Sequence, residues 1–291
     1  MMDSTPRVKN RNWSRHLSRI SAHLFVGALA LVYIFPIYWM LITSFKIPRE
    51  VMAWPPTFWP REITTAAYAE VLEVFMFDRW FLNSIFVAVA VTVIVLAVTS
   101  LAAFAFAFYR FPGNQFLFLY ILSTLMVPIH IRMIPSFLLV RGLGWVDSYV
   151  GLIIPQVASQ CALGVFLLRQ FYKGVPRDLV DASRIDGCKE YQVFLNVGVP
   201  LVKPALFALG IFVFVAAWND FVWPLLMVQG EKMKTLTLGL LGMSDVTAEQ
   251  IGLTWPQKMA GATLVVMPIV TVFLFFRNIF VQGVSLSGLK G

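Results

Sequence analysis

Val175-Pro-Arg-Asp-Leu-Val-Asp-Ala-Ser-Arg-Ile-Asp-Gly-Cys-Lys-Glu-Tyr-Gln-Val-Phe-Leu-Asn-Val-Gly-Val-Pro200 is a charged stretch set between two long apolar runs, 149–171 and 201–228. It reads as two short helices. Asp178 is placed to cap the first, with Asp181 three positions on, close to a capping box. Both acids suit the positive end of the helix dipole. Gly187 stands where a helix stop needs a left-handed residue. A second, amphipathic helix over 190–197 presents Val193, Phe194 and Val197 before Pro200 ends it. Ala182 and Ser183 are small enough to let another surface approach the first helix. Two capped helices tied rigidly to apolar runs suit docking into a groove of a partner. The plainer alternative, an ordinary interfacial loop, typically lacks such caps.

Working outward, the runs on either side belong to a set of six: 23–45, 80–109, 116–140, 149–171, 201–228 and 259–280. A hydrocarbon core of about 30 Å needs roughly 20 apolar residues in a helix, and each run supplies them. The chain is 59% hydrophobic and 13% charged, so a water-soluble fold would have to bury nearly all of its apolar surface. The fold class is therefore all-α integral membrane: a bundle of six transmembrane helices with short docking helices on one face. Residues 1–22 form a basic N-terminal segment, 23–281 the spanning domain with its loop at 172–200, and 282–291 a tail. Pro36, Pro128, Pro135, Pro155, Pro224 and Pro268 interrupt the runs, which is tolerated where neighbouring helices satisfy the freed carbonyls.

Charge sets the expected orientation. Arg7, Lys9, Arg11, Arg15 and Arg19 precede the first run, and the 172–200 loop is rich in Lys and Arg. In the gap after the first run the acids outnumber the bases. By the positive-inside rule both termini and the 172–200 loop are cytoplasmic. The first run is too long for a signal peptide and lacks a small-x-small cleavage site, so it is read as retained, and the basic segment before it can lie along anionic lipid. The net charge of +8 has this topological explanation, and no nucleic-acid-binding motif accompanies it. Cys161 and Cys188 fall in an apolar run and a charged loop, so no bridge is expected. Within the gap after the first run, a short helix is expected around 65–74.

Enzymatic signatures are missing: there is no GxxxxGK[ST] loop, no HExxH, no GxSxG and no His/Cys ligand set. His130 and Arg132 near the end of the third run read as an interfacial pair. Near the end of the fifth run, Trp218, Asn219, Asp220 and Trp223 combine carboxylate, amide and indole, the groups that hold sugar hydroxyls and faces. An acid inside a span points to function, whereas Trp is also common in interfacial belts. Both readings stay open: a solute pathway, or a tie between helices.

The stretch 181–204 resembles the EAA loop of binding-protein-dependent ABC importer permeases. It stands here as Asp181-Ala182-Ser183, Asp186-Gly187, Phe194 and Val199-Pro200-Leu201 with Pro204, Asp181 replacing the usual Glu and Ser183 the usual Ala. Trp80-Phe-Leu-Asn-Ser84, Trp218-Asn-Asp-Phe-Val-Trp-Pro-Leu225 and Gly288-Leu-Lys-Gly291 resemble the maltose-type carbohydrate branch. The resemblance implies a non-catalytic permease subunit in a bacterial or archaeal inner membrane. It implies a heterodimer with a second permease, two ATPase subunits that hold ATP and Mg while this chain holds no cofactor, and an extracytoplasmic binding protein that delivers a carbohydrate. Asp181, Ala182, Ser183, Asp186 and Gly187 would then meet the ATPase. A polyol or glycerol-phosphate importer is the alternative within the class, and an ion-gradient-driven transporter the alternative outside it. A phosphate-bearing solute calls for Arg or Lys in the pathway. The runs offer chiefly Arg132, near an end, which favours neutral sugars.

Overall fold

The computed structural model describes residues 11–243 and 252–285, with side chains for 19–243 and 252–276. The ending Gly288–Gly291 and the residues Arg7 and Lys9 lie outside this range. Among the described residues all regular structure is helical. The helices are α1 (Arg11–Ser44), α2 (Pro48–Val51), α3 (Ala66–Val74), α4 (Phe77–Phe108), α5 (Asn114–Ser123), α6 (Ile129–Gly142), α7 (Tyr149–Lys173), α8 (Arg177–Ile185), α9 (Glu190–Leu201), α10 (Lys203–Asn219), α11 (Val222–Met227), α12 (Leu236–Gly242) and α13 (Trp255–Ser285). α3 is the short helix expected around 65–74. Among the described residues four helices, α1, α4, α7 and α13, are long and apolar enough to cross a bilayer alone. Counting the bent pairs α5–α6 and α9–α10 as one crossing each brings the number to six.

The third and fifth runs are the ones that break. The third folds back by 101° between Met126 and Ile129. Pro128 is the cause: it brings no N–H to a helix and drives the residue before it out of the helical region, and Val127 is accordingly extended (φ −86°, ψ 116°). The fifth run divides at Asp220 (φ −68°, ψ 122°) into α10 and α11. Pro36, Pro135, Pro155 and Pro268 lie inside continuous helices. The basic residues from Arg11 onward belong to the same continuous helix as the first run.

The chain forms two compact units, one of residues up to 71 with 252–263, the other of 72–251 with 264 onward. In the first, the proline-rich segment after α1 is held by polar anchors. Buried Glu50 accepts the Thr57 hydroxyl at 2.6 Å and the Arg61 N–H at 3.0 Å. Buried Lys46 donates to the Thr57 carbonyl and lies 4.7 Å above the Trp39 ring. The Tyr38 hydroxyl donates to the Phe58 carbonyl at 2.6 Å.

In the second unit α4 packs against α7 and α10. Ser84, Ala88, Val91, Val95, Thr99, Ala103 and Ala107 are buried and recur every three or four residues, making one stripe of the helix. Leu82, Phe86 and Val93 on the other side stay exposed, as a lipid-facing surface does. Small residues set the closeness of α4 and α7: a Cβ on Gly164 would lie 2.7 Å from Thr99 Cγ2, and such contacts let membrane helices pack without a hydrophobic driving force. Ser100 and Tyr172 share a buried hydrogen bond of 2.8 Å. Phe104 meets Tyr172 and Phe194 edge-on, at 5.4 Å each, where α9 widens by a π-type turn over Phe194–Gly198.

Candidate functional site

The α8 loop has the shape that the sequence indicates, with two corrections. Pro176, and not Asp178, is the residue flanking α8, which puts Asp178 at its second position and Asp181 mid-helix; no side chain caps this end. Proline is favoured beside a helix start because it has no N–H to leave unsatisfied. Ser183, expected on the docking face, is buried, its hydroxyl donating to the Val180 carbonyl at 2.7 Å. The exposed face is made by Asp178, Asp181, Ala182 and Ile185, at spacings of three and four. Ile185, at 86% exposure, is the apolar knob of that face.

Gly187 ends α8 as anticipated. Its φ is +83°, its N–H donates to the Arg184 carbonyl at 3.0 Å, and the Cys188 N–H donates to the Ser183 carbonyl at 3.1 Å. The paired bonds are a Schellman stop, with Asp186 as the flanking residue.

A polar clamp that sequence reasoning missed fixes α8 to the rest of the unit. Arg184 donates from Nη1 to Asp181 at 3.0 Å, from Nε to Glu190 at 3.0 Å and from Nη2 to Glu190 at 3.2 Å. The Tyr109 hydroxyl, just past α4, also donates to Glu190, and the guanidinium lies 5.5 Å above the Tyr109 ring. The Arg184 and Tyr109 bonds hold the Glu190 carboxyl below the usual carboxylate value. The Glu190 bond in turn raises Arg184. Each exposed pair contributes only about 0.2–1 kcal/mol, but the geometry joins three elements. The clamp escaped notice because its partners are six residues apart across the Gly187 turn, a spacing no helix periodicity flags.

The second candidate site is a cavity of about 440 Å³ lined by α6, α7, α10 and α11. Of the four residues singled out in sequence, Asn219, Asp220 and Trp223 line it, and Trp218 does not. Trp218 is buried, donates to the Val265 carbonyl at 3.3 Å and packs edge-on against Phe81 at 6.0 Å, so it ties helices together. Asp220 Oδ1 accepts the Trp223 N–H at 3.3 Å, closing the break between α10 and α11. The Trp223 indole donates to the Gly151 carbonyl at 2.9 Å. Arg132 and Gln156 also line the cavity. Sequence reading set Arg132 at a helix end and passed over Gln156, and only the fold at Pro128 could have signalled their meeting.

A third cluster explains Trp80-Phe-Leu-Asn-Ser84. The Trp80 indole donates to the Glu231 carbonyl at 2.9 Å, and Asn83 donates to the Lys232 and Lys234 carbonyls at 2.9 Å each. The Ser84 hydroxyl accepts the Leu236 N–H at 2.7 Å, and Asn83 Oδ1 accepts the Tyr149 hydroxyl at 2.6 Å. The motif is thus a latch for the loop that leads into α12.

The sequence pattern of binding-protein-dependent transport system inner membrane components matches residues 63–286. The arabinooligosaccharides transport system permease protein AraQ of Bacillus subtilis is 34% identical over 279 residues, covering 94% of this chain and 96% of AraQ. The sn-glycerol-3-phosphate transport system permease protein UgpE of Agrobacterium fabrum is 32% identical over 278 residues, covering 93% of this chain and 97% of UgpE. A chain from the crystal structure of a bacterial ABC transporter involved in the import of the acidic polysaccharide alginate shares the fold, with a TM-score of 0.81 at 23% identity over 95% of this chain and 99% of that one. The pattern match over most of the chain, and relatives aligned nearly end to end, bear out the resemblance carried by residues 181–204: this multi-pass membrane protein belongs to the binding-protein-dependent transport system inner membrane components, the permease subunits of ABC importers.

Proposed function

We propose that this chain forms one half of the translocation pathway of an ATP-driven carbohydrate importer and takes its mechanical input through α8. The paired subunit is a second, different permease. Two ATPase subunits bind ATP and Mg and dock at the two permeases' loops, and an extracytoplasmic binding protein delivers the solute. Both termini and the α8 loop face the cytoplasm in this arrangement, as the positive-inside rule assigns them. Solute class follows the named relatives, whose cargoes are an arabinooligosaccharide, a glycerol phosphate and an acidic polysaccharide.

The observation that carries the reading is the construction of the α8 loop. A short helix with a Schellman stop exposes Asp178, Asp181, Ala182 and Ile185, while the Arg184–Glu190–Tyr109 clamp ties it to the end of α4. A lever of this kind passes a rigid-body shift to α4 and, through its packing, to α7 and α10, two of the helices that line the cavity. In this reading Asp181, Ala182, Asp186 and Gly187 meet the ATPase, Ser183 supports them from within, and Asn219, Asp220 and Trp223 line the solute's route.

The test is Asp181→Lys in the purified complex of this chain with its partner subunits. The substitution replaces an ion pair with two cations facing each other at the Arg184 position. Assembly and binding-protein association are expected to be normal, while solute-stimulated ATP hydrolysis and uptake are lost. Stimulation at the parental level would remove α8 from the coupling path.

A further inference from the structure

Two residues that line the cavity carry donors with no hydrogen-bond partner among the described residues. Gln156 is only 8% exposed, and its Nε2 has no partner. The Nε of Arg132, in the first turn of α6, is likewise buried and unpaired. Both side chains line the same space of about 440 Å³. Buried polar groups are satisfied in the great majority of cases, and a cation within a membrane segment is costly without a counter-charge. Both residues line one cavity, and Arg132 brings to it a cation with no counter-charge within 4.0 Å among the described residues.

Asp220 is the acid among the lining residues, and it is not the missing counter-charge. Its Oδ1 is engaged with the Trp223 N–H, and among the described residues no ion pair within 4.0 Å joins it to Arg132. Around the two donors, Ser136, Ser159, Gln160 and Asn219 offer neutral hydrogen-bonding groups, and Pro155 and Trp223 an apolar wall. That lining suits a polyhydroxylated body with one charged end.

We propose that Arg132 and Gln156 form a subsite in this chain for an oxyanion, a carboxylate or a phosphate, carried by the imported solute. The solute class is then an acidic sugar or a polyol phosphate. The inference rests on the chain being half of a carbohydrate pathway, and it reverses the neutral-sugar expectation drawn from sequence. That expectation placed Arg132 near an outer end of the run 116–140, whereas the 101° bend sets it in the first turn of α6, in the cavity wall. A guanidinium matches an oxyanion with a planar fork of donors that an ammonium lacks, and the Gln156 side chain lines the same cavity.

The test is uptake by the complete transporter, with its binding protein, in cells supplied with four probes: digalacturonate, sn-glycerol 3-phosphate, galactobiose and maltose. The parental complex is expected to move one of the two anionic probes, and which one tells the carboxylate source from the phosphate source. Arg132→Gln lowers that rate roughly tenfold or more, Arg132→Lys recovers part of it, and Gln156→Leu costs about threefold to tenfold, the range of one hydrogen bond to a charged group or less. Co-purification of the partner subunits checks assembly. Should Arg132→Gln fail to assemble, Arg132→Lys and Gln156→Leu decide, and parental rates in both overturn the subsite. Transport of neutral probes alone, or of no anionic probe, also overturns it. ATP-dependent uptake of a neutral sugar would leave the importer reading intact, whereas absence of ATP-dependent uptake of every probe would sink both.

Discussion

Replacing Gly187 by valine tests whether α8 must stop where it does. With φ at +83° and no heavy atom within 4 Å of the position a Cβ would take, the penalty within this chain is torsional and not steric. An L-residue in this region costs roughly 1–2 kcal/mol, and a β-branched one lies at the top of that range or above it. The two bonds that depend on this conformation, Gly187 to Arg184 and Cys188 to Ser183, close a helix of only nine residues. At about 1.4 kcal/mol per factor of ten, the stopped form should lose roughly five- to thirtyfold in population against frayed alternatives. The assay is ATP hydrolysis by the purified complex with and without solute-loaded binding protein, alongside amide exchange over residues 184–190. Stimulation is expected to fall in the order Gly, Asn, Ala, Val, because asparagine enters the left-handed region more readily than other L-residues. Parental stimulation in Gly187→Val would refute the lever. If Gly187→Asn is as damaging as Gly187→Val, a docked partner excludes the side chain and the torsional argument fails.

Four further outcomes follow from the structure. The Glu190 carboxyl is held below its ordinary value of 4.5 by Arg184 first and Tyr109 next, so its contribution is complete above that value and fades as pH falls through the lower folded one. Exchange protection over 184–190 is therefore flat from about pH 5 to 8 and drops in acid, while Glu190→Gln lacks the acid drop and is less protected at neutral pH. Asn83→Ala strands the Lys232 and Lys234 carbonyls and the Tyr149 hydroxyl, costing about 1–3 kcal/mol. Raised exchange at 231–236 with assembly retained is the expected reading, and unchanged exchange would deny the latch. Trp223→Ala opens a hole at a buried indole and breaks its bond to Gly151, a loss of about 3–5 kcal/mol that should show as poor yield of the complex. Asn219→Ala, at an exposed position, lowers uptake without lowering yield; unaltered uptake would take Asn219 out of the solute's route.

What sequence reasoning recovered and what it missed divide along a physical line. The apolar runs were legible because lipid demands unbroken hydrophobic length, and Gly187 because a helix stop of this kind favours one residue type above others. Local grammar failed at Pro128. Six prolines interrupt the runs, four of them sit inside intact helices, and nothing in the pattern marks the one where the chain folds back. That single bend brings Arg132 to the cavity wall, a meeting with Gln156 that the pattern alone does not show. Ser183 and Trp218 were not decided by sequence for another reason. Their types fit both an exposed functional face and a buried tie, and only the packing of α8 and of Phe81, Phe214 and Val265 around them decides. The Arg184–Glu190–Tyr109 clamp links positions 109, 184 and 190, a relation that exists only once α4 and the loop are side by side.

The Trp80–Asn83–Ser84 latch has a consequence for the birth of the protein. Its partners at Glu231, Lys232, Lys234 and Leu236 lie about 150 residues later in the chain. At a synthesis rate of about 5–20 residues per second, the ribosome needs roughly 8–30 seconds to produce them. Until then an indole, a carboxamide and a hydroxyl wait at the start of α4 without these acceptors and donors. A nascent chain stalled before residue 231 should display this polar edge to membrane chaperones and proteases, and closure of the latch hides it. The same three side chains that hold the finished loop are thereby paired only once translation has passed Leu236, with α13 still to come.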